Sequence, residues 1–237
     1  MNEFEKEVKM LDKFRSEYII HFYGACYIPN KTCMVTEYAQ FGSLQDYMKK
    51  HKDDPPHIKL RMKFMLDSAK GIEYLHQNGI LHRDIKSDNI LLVSLDENIR
   101  ANAKLTDFGS SRNINALMTN LTFTTGIGTP VYMAPEVMNQ MKYKTPADVY
   151  SFAIVMYETF GWCEPFSTRE FKFPWKIAEF IIEGKRPEKI DEITVRQYNL
   201  IKQCWCQNPK ERMKMSDIVV CLESEQLFCN LQQFIHN

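Results

Sequence analysis

Residues 81–92 read Leu-His-Arg-Asp-Ile-Lys-Ser-Asp-Asn-Ile-Leu-Leu, and the other motifs of the chain are best understood in relation to this segment. Its polar side chains, among them Asp84, Lys86 and Asn89, stand between apolar residues. One explanation is a surface turn, because Asp and Asn side chains commonly accept hydrogen bonds from nearby backbone groups. A fixed order of polar positions over twelve residues is more specific than a turn requires.

Several motifs accompany this segment in a defined order. An Asp-Phe-Gly sequence at 107–109 begins 18 residues after Asn89 (107 − 89). A threonine-rich loop follows and ends in Ala-Pro-Glu at 134–136. The next segment, 146–161, is apolar on nearly all sides and predicts a buried helix with Asp148 in its first turn. A Cys-Trp pair at 204–205 then precedes Arg212.

Together these motifs resemble the catalytic domain of protein kinases, and the resemblance extends from residue 2 to about residue 223. The Cys-Trp pair and segment 36–39 are similar to tyrosine kinases, whereas segments 84–86 and 128–130 are similar to serine/threonine kinases. The combination resembles the tyrosine-kinase-like group of serine/threonine kinases. This resemblance implies ATP-dependent transfer of phosphate to serine and threonine hydroxyls of protein substrates in intracellular signal transduction.

The resemblance assigns catalytic roles to four residues. Kinases use one carboxylate to orient the attacking hydroxyl and accept its proton, and an amide oxygen five positions later to hold a metal ion. Asp84 is therefore the implied base and Asn89 an implied Mg²⁺ ligand. Lys86 would neutralise charge on the transferred phosphate. Asp107 would supply an anionic oxygen to Mg²⁺, as a hard cation requires.

The same resemblance assigns residues to the nucleotide site. Thr36 matches the gatekeeper position, and backbone groups of Glu37 and Ala39 would form hydrogen bonds with adenine. Ser43 would lie near the ribose, and Leu91 would form the floor of the adenine pocket. ATP and Mg²⁺ are accordingly the expected cofactors.

Residues 2–15 carry apolar side chains at helical spacing and predict an amphipathic helix. In the resemblance this is helix C, and Glu7 matches the glutamate that pairs with the ATP-binding lysine; otherwise a solvated surface glutamate is the simpler interpretation. The 237 residues contain no glycine-rich loop and no Val-Ala-x-Lys strand ahead of Glu7. A fragment, an error in the gene prediction and a genuine isoform are all compatible with this observation.

Two functions therefore remain open at this point. The first is an active kinase of which these residues are a part, and the intact catalytic motifs favour it. The alternative is a catalytically impaired, kinase-like scaffold that binds partners. We expect the 237-residue chain by itself to be nearly inactive, because the groups that cover the phosphates are not among its motifs.

The predicted fold class is α+β, with the organisation of a protein kinase. Residues 1–38 would form a truncated small lobe with helix C, strands over 18–28 and 32–38, and the hinge. Residues 39–237 would form a complete, mainly helical large lobe. In that lobe the spacing predicts a helix over 58–77, ended by an Asn-Gly pair, and a short hairpin of 90–93 with 103–106.

The composition argues against several other classes of function. Lysine plus arginine and aspartate plus glutamate number 30 each, so no net charge favours nucleic acid or an anionic membrane as a partner. Seven cysteines without a Cys-x-x-Cys pair are typical of reduced intracellular thiols. The most apolar run is too short to cross a bilayer. We expect a cytoplasmic protein; its oligomeric state cannot be predicted.

The resemblance also implies two structural contacts and a regulated loop. Asp148 would hold the backbone of the catalytic loop, and Arg212 would pair with Glu136. Phosphorylation of the loop between Asp107 and Glu136 would add charge that can pair with Arg83. The candidate hydroxyls are Ser110, Ser111, Thr119, Thr122, Thr124 and Thr125.

Overall fold

The computed structural model describes residue 8 and residues 11–28, 31–113, 130–139, 141–167 and 171–236, with side chains at all of these except 27, 112–113 and 228–236. Most of the helix predicted over 2–15, including Glu7, lies outside the described residues. Residues 8 and 11–13 are helical, whereas 14–16 are not, so the helix ends earlier than predicted. Leu11 and Phe14 are buried, as the amphipathic pattern requires.

The described residues form six short strands and seven α-helices in a mixed order. The strands are β1 (Phe22–Ile28), β2 (Lys31–Thr36), β3 (Ile80–Leu81), β4 (Ile90–Leu92), β5 (Ala103–Leu105) and β6 (Arg112–Asn113). The helices are α1 (Leu44–Lys50), α2 (Ile58–Gln77), α3 (Pro135–Met138), α4 (Thr145–Gly161), α5 (Pro174–Ile182), α6 (Val195–Cys204) and α7 (Met215–His236). The α+β prediction is confirmed.

The strands pair in three antiparallel two-stranded sheets, β1 with β2, β3 with β6 and β4 with β5. The hairpin predicted around 90–106 is therefore confirmed. The strand predicted over 18–28 begins only at Phe22, because the preceding backbone pairs with β5 instead: Ile20 N–H donates to Leu105 O at 2.9 Å, and Leu105 N–H donates to Tyr18 O at 2.9 Å. The strand predicted over 32–38 ends at Thr36.

Helix α2 has the predicted bounds, and its C-terminal end delivers the chain to residues 81–92. Asn78 is the C-terminal cap, and Gly79 follows with φ 72°, a left-handed conformation that glycine adopts without steric cost. Gly71 lies where a Cβ atom would come within 2.8 Å of Tyr18 O. A side chain at residue 71 would thus collide with the backbone segment that precedes β1 and pairs with β5.

Helix α4 is the centre of the core. Every residue from Ala147 to Gly161 is buried, and the helix packs against α2 and α6. The helix ends where Trp162 adopts φ 49°, which turns the chain out of the helical path. Asp148 and Glu158 are acidic residues within this buried helix, so both must find partners inside the protein.

Candidate active site

Asp148 attaches the catalytic loop to the core, as the sequence predicted. The carboxylate oxygens of Asp148 accept hydrogen bonds from His82 N–H at 3.0 Å and Arg83 N–H at 2.9 Å. Tyr143 OH donates to the same carboxylate at 2.7 Å, and His76 Nε2 lies 2.9 Å from it. One buried carboxylate therefore fixes the start of the loop through two contacts, and two further side chains hold that carboxylate in place.

This arrangement keeps Asp148 ionised although it is fully buried. Burial by itself would raise the pKa of the Asp148 carboxyl, but the hydrogen bond and charge of His76, with further contributions from His82 and Tyr143, lower it below its ordinary value. The pKa of Tyr143 rises well above its ordinary value because the phenol is buried beside this carboxylate. Tyr143 therefore stays protonated and continues to donate.

Asp84, Lys86 and Asn89 lie together on the catalytic loop. Lys86 Nζ donates to Asp84 Oδ2 at 2.8 Å, and Asn89 Nδ2 donates to the same oxygen at 3.0 Å. Asn89 Nδ2 also donates to the backbone oxygen of Asp84 at 2.8 Å. Two of the three side chains assigned to catalysis from the sequence, Lys86 and Asn89, are thus within hydrogen-bonding distance of the third, Asp84.

His82 supports this loop from inside the protein. Its Nε2 lies 3.0 Å from Thr106 O and its ring centroid 5.2 Å from that of Phe108, so it connects the loop to residues 106–109. Burial lowers the pKa of His82, and the carbonyl partner indicates that the neutral ring carries its proton on Nε2. Arg83 has φ 72°, a left-handed backbone conformation that non-glycine residues seldom adopt.

Asp107 is positioned next to the same loop by a backbone contact, because Thr106 N–H donates to Asn89 O at 3.0 Å. Asp107 itself has φ 62°, and its Oδ1 accepts a hydrogen bond from Gly109 N–H at 3.3 Å. Aspartate is one of the few residues that tolerate this left-handed conformation. The local backbone thus turns at the residue that the sequence predicts to be a metal ligand.

The hinge follows β2, and the residues directly after it contact β4. Gly42 O accepts from Leu92 N–H at 2.9 Å, and Ser43 forms a bridge with Leu91, so two predicted nucleotide-site residues are neighbours. Ser43 Oγ caps α1 by accepting from Asp46 N–H at 3.1 Å. Its predicted place near a ribose stays a prediction.

Thr36, Glu37 and Ala39 already use part of their hydrogen-bonding capacity within the hinge. Glu37 N–H donates to His21 O at 2.8 Å, so the carbonyl of Glu37 is the backbone group of this residue that is suited to adenine. Thr36 Oγ1 lies 3.3 Å from the carbonyl oxygen of Glu37. Ala39 O accepts from Gly42 N–H at 3.1 Å, which leaves its N–H as the group suited to adenine. The adenine contacts themselves stay predictions.

Sequence reasoning missed an ion pair at the hinge. Lys104 Nζ lies 2.7 Å from both carboxylate oxygens of Glu37, and Glu37 Oε1 also accepts from His21 N–H at 2.6 Å. This contact joins residues 67 positions apart, so no local pattern reveals it. It connects the hinge to β5, the strand that leads to Asp107.

A family profile described as protein tyrosine and serine/threonine kinase matches residues 1–222, which include the hinge, the catalytic loop and Asp107. The chain belongs to the protein kinase family. The resemblance to protein kinases predicted from the sequence is therefore confirmed. Membership of this family accounts for the kinase-like arrangement of the catalytic loop.

Individual kinases are similar to this chain over most of its length. It is 35% identical over 228 residues to an RGS domain-containing serine/threonine-protein kinase A of Dictyostelium discoideum. It is 34% identical over 223 residues to serine/threonine/tyrosine-protein kinase HT1 and 36% identical over 225 residues to serine/threonine-protein kinase STY17, both of Arabidopsis thaliana. These matches cover 94%, 93% and 94% of the chain.

The chain spans only part of the length of these kinases. The aligned region amounts to 19% of the Dictyostelium protein and to 54% and 37% of the two Arabidopsis proteins. The comparison therefore concerns only the aligned region of each relative.

A second acidic residue of the kinase core, Glu158, lies behind the catalytic loop. Tyr132 OH donates to Glu158 Oε1 at 2.8 Å and Oε2 at 3.0 Å, and Tyr132 OH lies 3.0 Å from Ser87 Oγ. Burial raises the pKa of Glu158 to about 8, although the hydrogen bonds from Tyr132 and Ser87 oppose this shift. The sequence signal that could have revealed Glu158 is the presence of an acidic residue in a helix predicted to be buried on nearly all sides.

The raised pKa of Glu158 predicts a pH-dependent stability. The folded kinase keeps this proton up to about pH 8, whereas the unfolded chain releases it near the ordinary value of 4.5, so unfolding becomes easier as pH rises through this range. We expect Glu158→Gln to flatten the dependence of the melting temperature on pH between about pH 5 and about pH 8. Thermal melts at several pH values measure this.

The matched control is Glu97→Gln, because Glu97 is an exposed acid that is not among the charges that act on Glu158. Its pH dependence should equal that of the unchanged protein. Equal slopes for Glu158→Gln and the unchanged protein would show that Glu158 does not carry the predicted proton.

A cleft with an empty volume of about 420 Å³ lies beside the catalytic loop. Its lining includes Asp84 and Lys86 together with Tyr132, Met133 and Val137. The cleft is thus polar where phosphoryl transfer would occur and apolar next to it.

Some predicted residues cannot be placed, and one prediction is weakened. Glu7, residues 128 and 129 and the four candidate threonines of the loop lie outside the described residues. Ser111, a candidate phosphorylation site, is buried with 2% of its surface exposed, and its Oγ donates to His82 O at 3.2 Å. A kinase could not reach that hydroxyl without opening the structure, so we withdraw Ser111 from the candidates.

Proposed function

We propose that this protein is an ATP-dependent serine/threonine kinase that transfers the γ-phosphate of ATP to protein hydroxyls. The observation that carries the proposal is the contact of Asp84 with both Lys86 and Asn89 beside a cleft that Asp84 and Lys86 line. The kinase names of the relatives support the same function. The scaffold alternative is not favoured, because binding alone does not require these three side chains together.

Asp84 is suited to orient the attacking hydroxyl. About a fifth of its side chain is exposed (21%), and it faces the cleft, so a substrate hydroxyl can reach it. Asp148 fixes the loop backbone, and Asn89 fixes the Asp84 carboxylate, so little reorganisation would be needed when substrate arrives. Lys86, with 27% of its side chain exposed, can swing from Asp84 towards a phosphate.

The donor set near Asp84 fits Mg²⁺ bound together with nucleotide phosphates. Among the described residues no group of three or more His, Cys, Asp or Glu side chains could hold a metal ion. Mg²⁺ commonly takes one or two protein oxygens and completes its shell with phosphate and water. Asn89 directs its Nδ2 to Asp84, which leaves its amide oxygen for a cation, and Asp107 would add a carboxylate. Bound Mg²⁺ would neutralise charge on the phosphates.

We expect Asp107→Asn to weaken Mg²⁺-dependent ATP binding by about tenfold or more, the scale on which disturbed metal sites lose affinity. Asparagine has nearly the same size and tolerates the same left-handed backbone, so the loss should come from the missing charge. Calorimetric titration of ATP at several Mg²⁺ concentrations measures it. Titration with a chelator present is the control and should give equal affinities for both proteins. An unchanged Mg²⁺ requirement would exclude Asp107 as a ligand.

Specificity for serine and threonine is the testable core of the proposal. Lys86 lies 2.8 Å from Asp84 Oδ2, next to the proposed base, in a segment that is similar to serine/threonine kinases. Phosphoamino-acid analysis of reaction products should therefore show phosphoserine and phosphothreonine. The assay should use a form of the protein that carries a glycine-rich loop and an ATP-binding lysine. Mostly phosphotyrosine would contradict the proposal.

The proposal extends to partners and location. Protein substrates and ATP are the proposed partners, and the proposed compartment is the cytoplasm; among the described residues no helix is long and apolar enough to cross a membrane. A division into a small lobe over 1–38 and a large lobe over 39–237 stays a prediction. So does near-inactivity of the 237 residues alone, which phosphate incorporation beside a longer form would test.

A further inference from the structure

Two cysteines face each other across the hairpin of β1 and β2. Cys26 and Cys33 are directly opposed in the antiparallel register. Directly opposed residues of an antiparallel pair project from the same face of the sheet, so both thiols lie on one side of the hairpin. Both cysteines are exposed and carry free thiols.

The opposite face of the hairpin is the one that packs inward. Ala25 and Met34 are the neighbouring opposed pair, and both are partly buried against the hydrophobic core. Because successive side chains along a strand alternate between faces, the cysteines are directed away from this core. Packing against the described core therefore does not explain two cysteines at these positions.

The antiparallel register of the pair is compatible with a cross-strand disulfide. Opposed Cα atoms in antiparallel strands are about 4.5–5.5 Å apart, and disulfide-bonded cysteines have Cα atoms about 4.4–6.8 Å apart. Opposed Cβ atoms are about 4.5–5.5 Å apart, against about 3.5–4.5 Å in a disulfide. An approach of about 1 Å closes the bond, which a two-stranded sheet accommodates by a small change of twist.

We propose that Cys26 and Cys33 are a reversible redox modification site. Oxidation by hydrogen peroxide joins the two residues by an intramolecular disulfide. One thiolate attacks the peroxide and becomes a sulfenic acid, with release of water after protonation. The second thiol then attacks the sulfenic sulfur, forms the S–S bond and releases a second water. In total, two thiols and one peroxide give one disulfide and two waters, and a dithiol reductant restores both thiols.

Other described cysteines are less suited to this chemistry. Burial raises the pKa of Cys163 to about 11, and burial likewise raises the pKa of Cys204, so both thiols resist formation of the reactive thiolate. Cys206 is half-buried, and its Sγ lies 3.3 Å from Lys202 O. The hairpin pair combines exposure with a resolving partner, the arrangement expected of a redox-sensitive site.

The bond would cross-link the strand that leads into the hinge. Cys33 lies three residues before Thr36 (36 − 33), where β2 ends. Oxidation would thus fix the hairpin at its connection to the predicted adenine site. The inference depends only on the hairpin and holds whether or not the chain transfers phosphate.

Tryptic mapping tests the proposal directly, because Lys31 separates the two cysteines. Trypsin should release Cys26 in the peptide 16–31 and Cys33 in the peptide 32–49, each with a single cysteine. The folded protein is treated with about one equivalent of hydrogen peroxide, free thiols are blocked, and the digest is analysed by mass spectrometry without reduction. We expect the two peptides joined by a disulfide and the loss of two free thiols per chain, both reversed by dithiothreitol.

Two variants make the result specific. Cys33→Ser should abolish the linked peptides and leave Cys26 as a sulfenic or higher acid, whereas Cys221→Ser should leave the link unchanged. A non-reducing gel should show the linked species as a monomer. The proposal is overturned if peroxide oxidises thiols elsewhere while peptides 16–31 and 32–49 stay unlinked. It is also overturned if the link is found only in covalent dimers.

Discussion

Asp84→Asn is expected to lower kcat by about a hundredfold or more, the scale of losing a general base, in a form of the protein that carries a glycine-rich loop and an ATP-binding lysine. Asparagine keeps an oxygen that can accept from Lys86 and Asn89, so the loop should keep its shape. The loss should therefore appear in kcat and not in the affinity for Mg-ATP. Steady-state kinetics with a protein substrate, together with nucleotide titration, measure both.

Asp88→Asn is the matched control for this experiment. Asp88 lies in the same loop and is exposed, and it makes no contact with Asp84 among the side-chain hydrogen bonds described above. Its activity should stay close to that of the unchanged protein. If Asp84→Asn retained comparable activity, Asp84 could not be the group that receives the substrate proton.

Glu136→Ala is expected to destabilise the fold by about 3–5 kcal/mol, because it leaves a buried arginine without its counter-charge. Arg212 Nη1 and Nη2 donate to the two carboxylate oxygens of Glu136, each at 2.7 Å, and the Arg212 side chain has 0% exposure. Arg212 would keep its contacts with Pro146 O and Cys206 O, so the loss is electrostatic more than steric. Urea unfolding at constant pH measures the change in unfolding free energy.

Two comparisons separate this effect from a general loss of packing. Glu179→Ala removes an exposed partner of Lys176 and should leave the unfolding midpoint unchanged. Glu136→Leu combined with Arg212→Met removes both charges and should be less destabilising than Glu136→Ala alone. If the double variant were the less stable of the two, the unpaired charge would not be the cause.

The features predicted correctly from sequence are those with a local pattern or a family motif. Helix α2 was placed at its observed bounds because its apolar period is regular and an Asn-Gly pair ends it. The contacts of Asp148 with the catalytic loop and of Arg212 with Glu136 followed from the kinase resemblance. Asp84, Lys86 and Asn89 lie together because they fall within six consecutive residues, 84–89.

The features that were missed depend on three-dimensional packing. Glu37 and Lys104 form an ion pair because the hinge lies next to β5. Strand β1 begins later than predicted because residues 18–20 form backbone hydrogen bonds with β5 instead of with β2. The contacts of Tyr143 and His76 with Asp148 were also missed, because each side chain looks ordinary in sequence. Such pairings require the arrangement of elements to be known first.

The attachment of the catalytic loop to Asp148 has a consequence for heat inactivation. Asp148 belongs to α4, the most deeply buried helix, so the contacts that shape the loop are also contacts of the core. In a form of the protein with the proposed activity, catalysis and tertiary structure should therefore be lost in a single thermal step, and residual activity after heating would count the molecules that remain folded. A partly folded large lobe would be inactive, so enzymatic turnover would report only completely folded molecules.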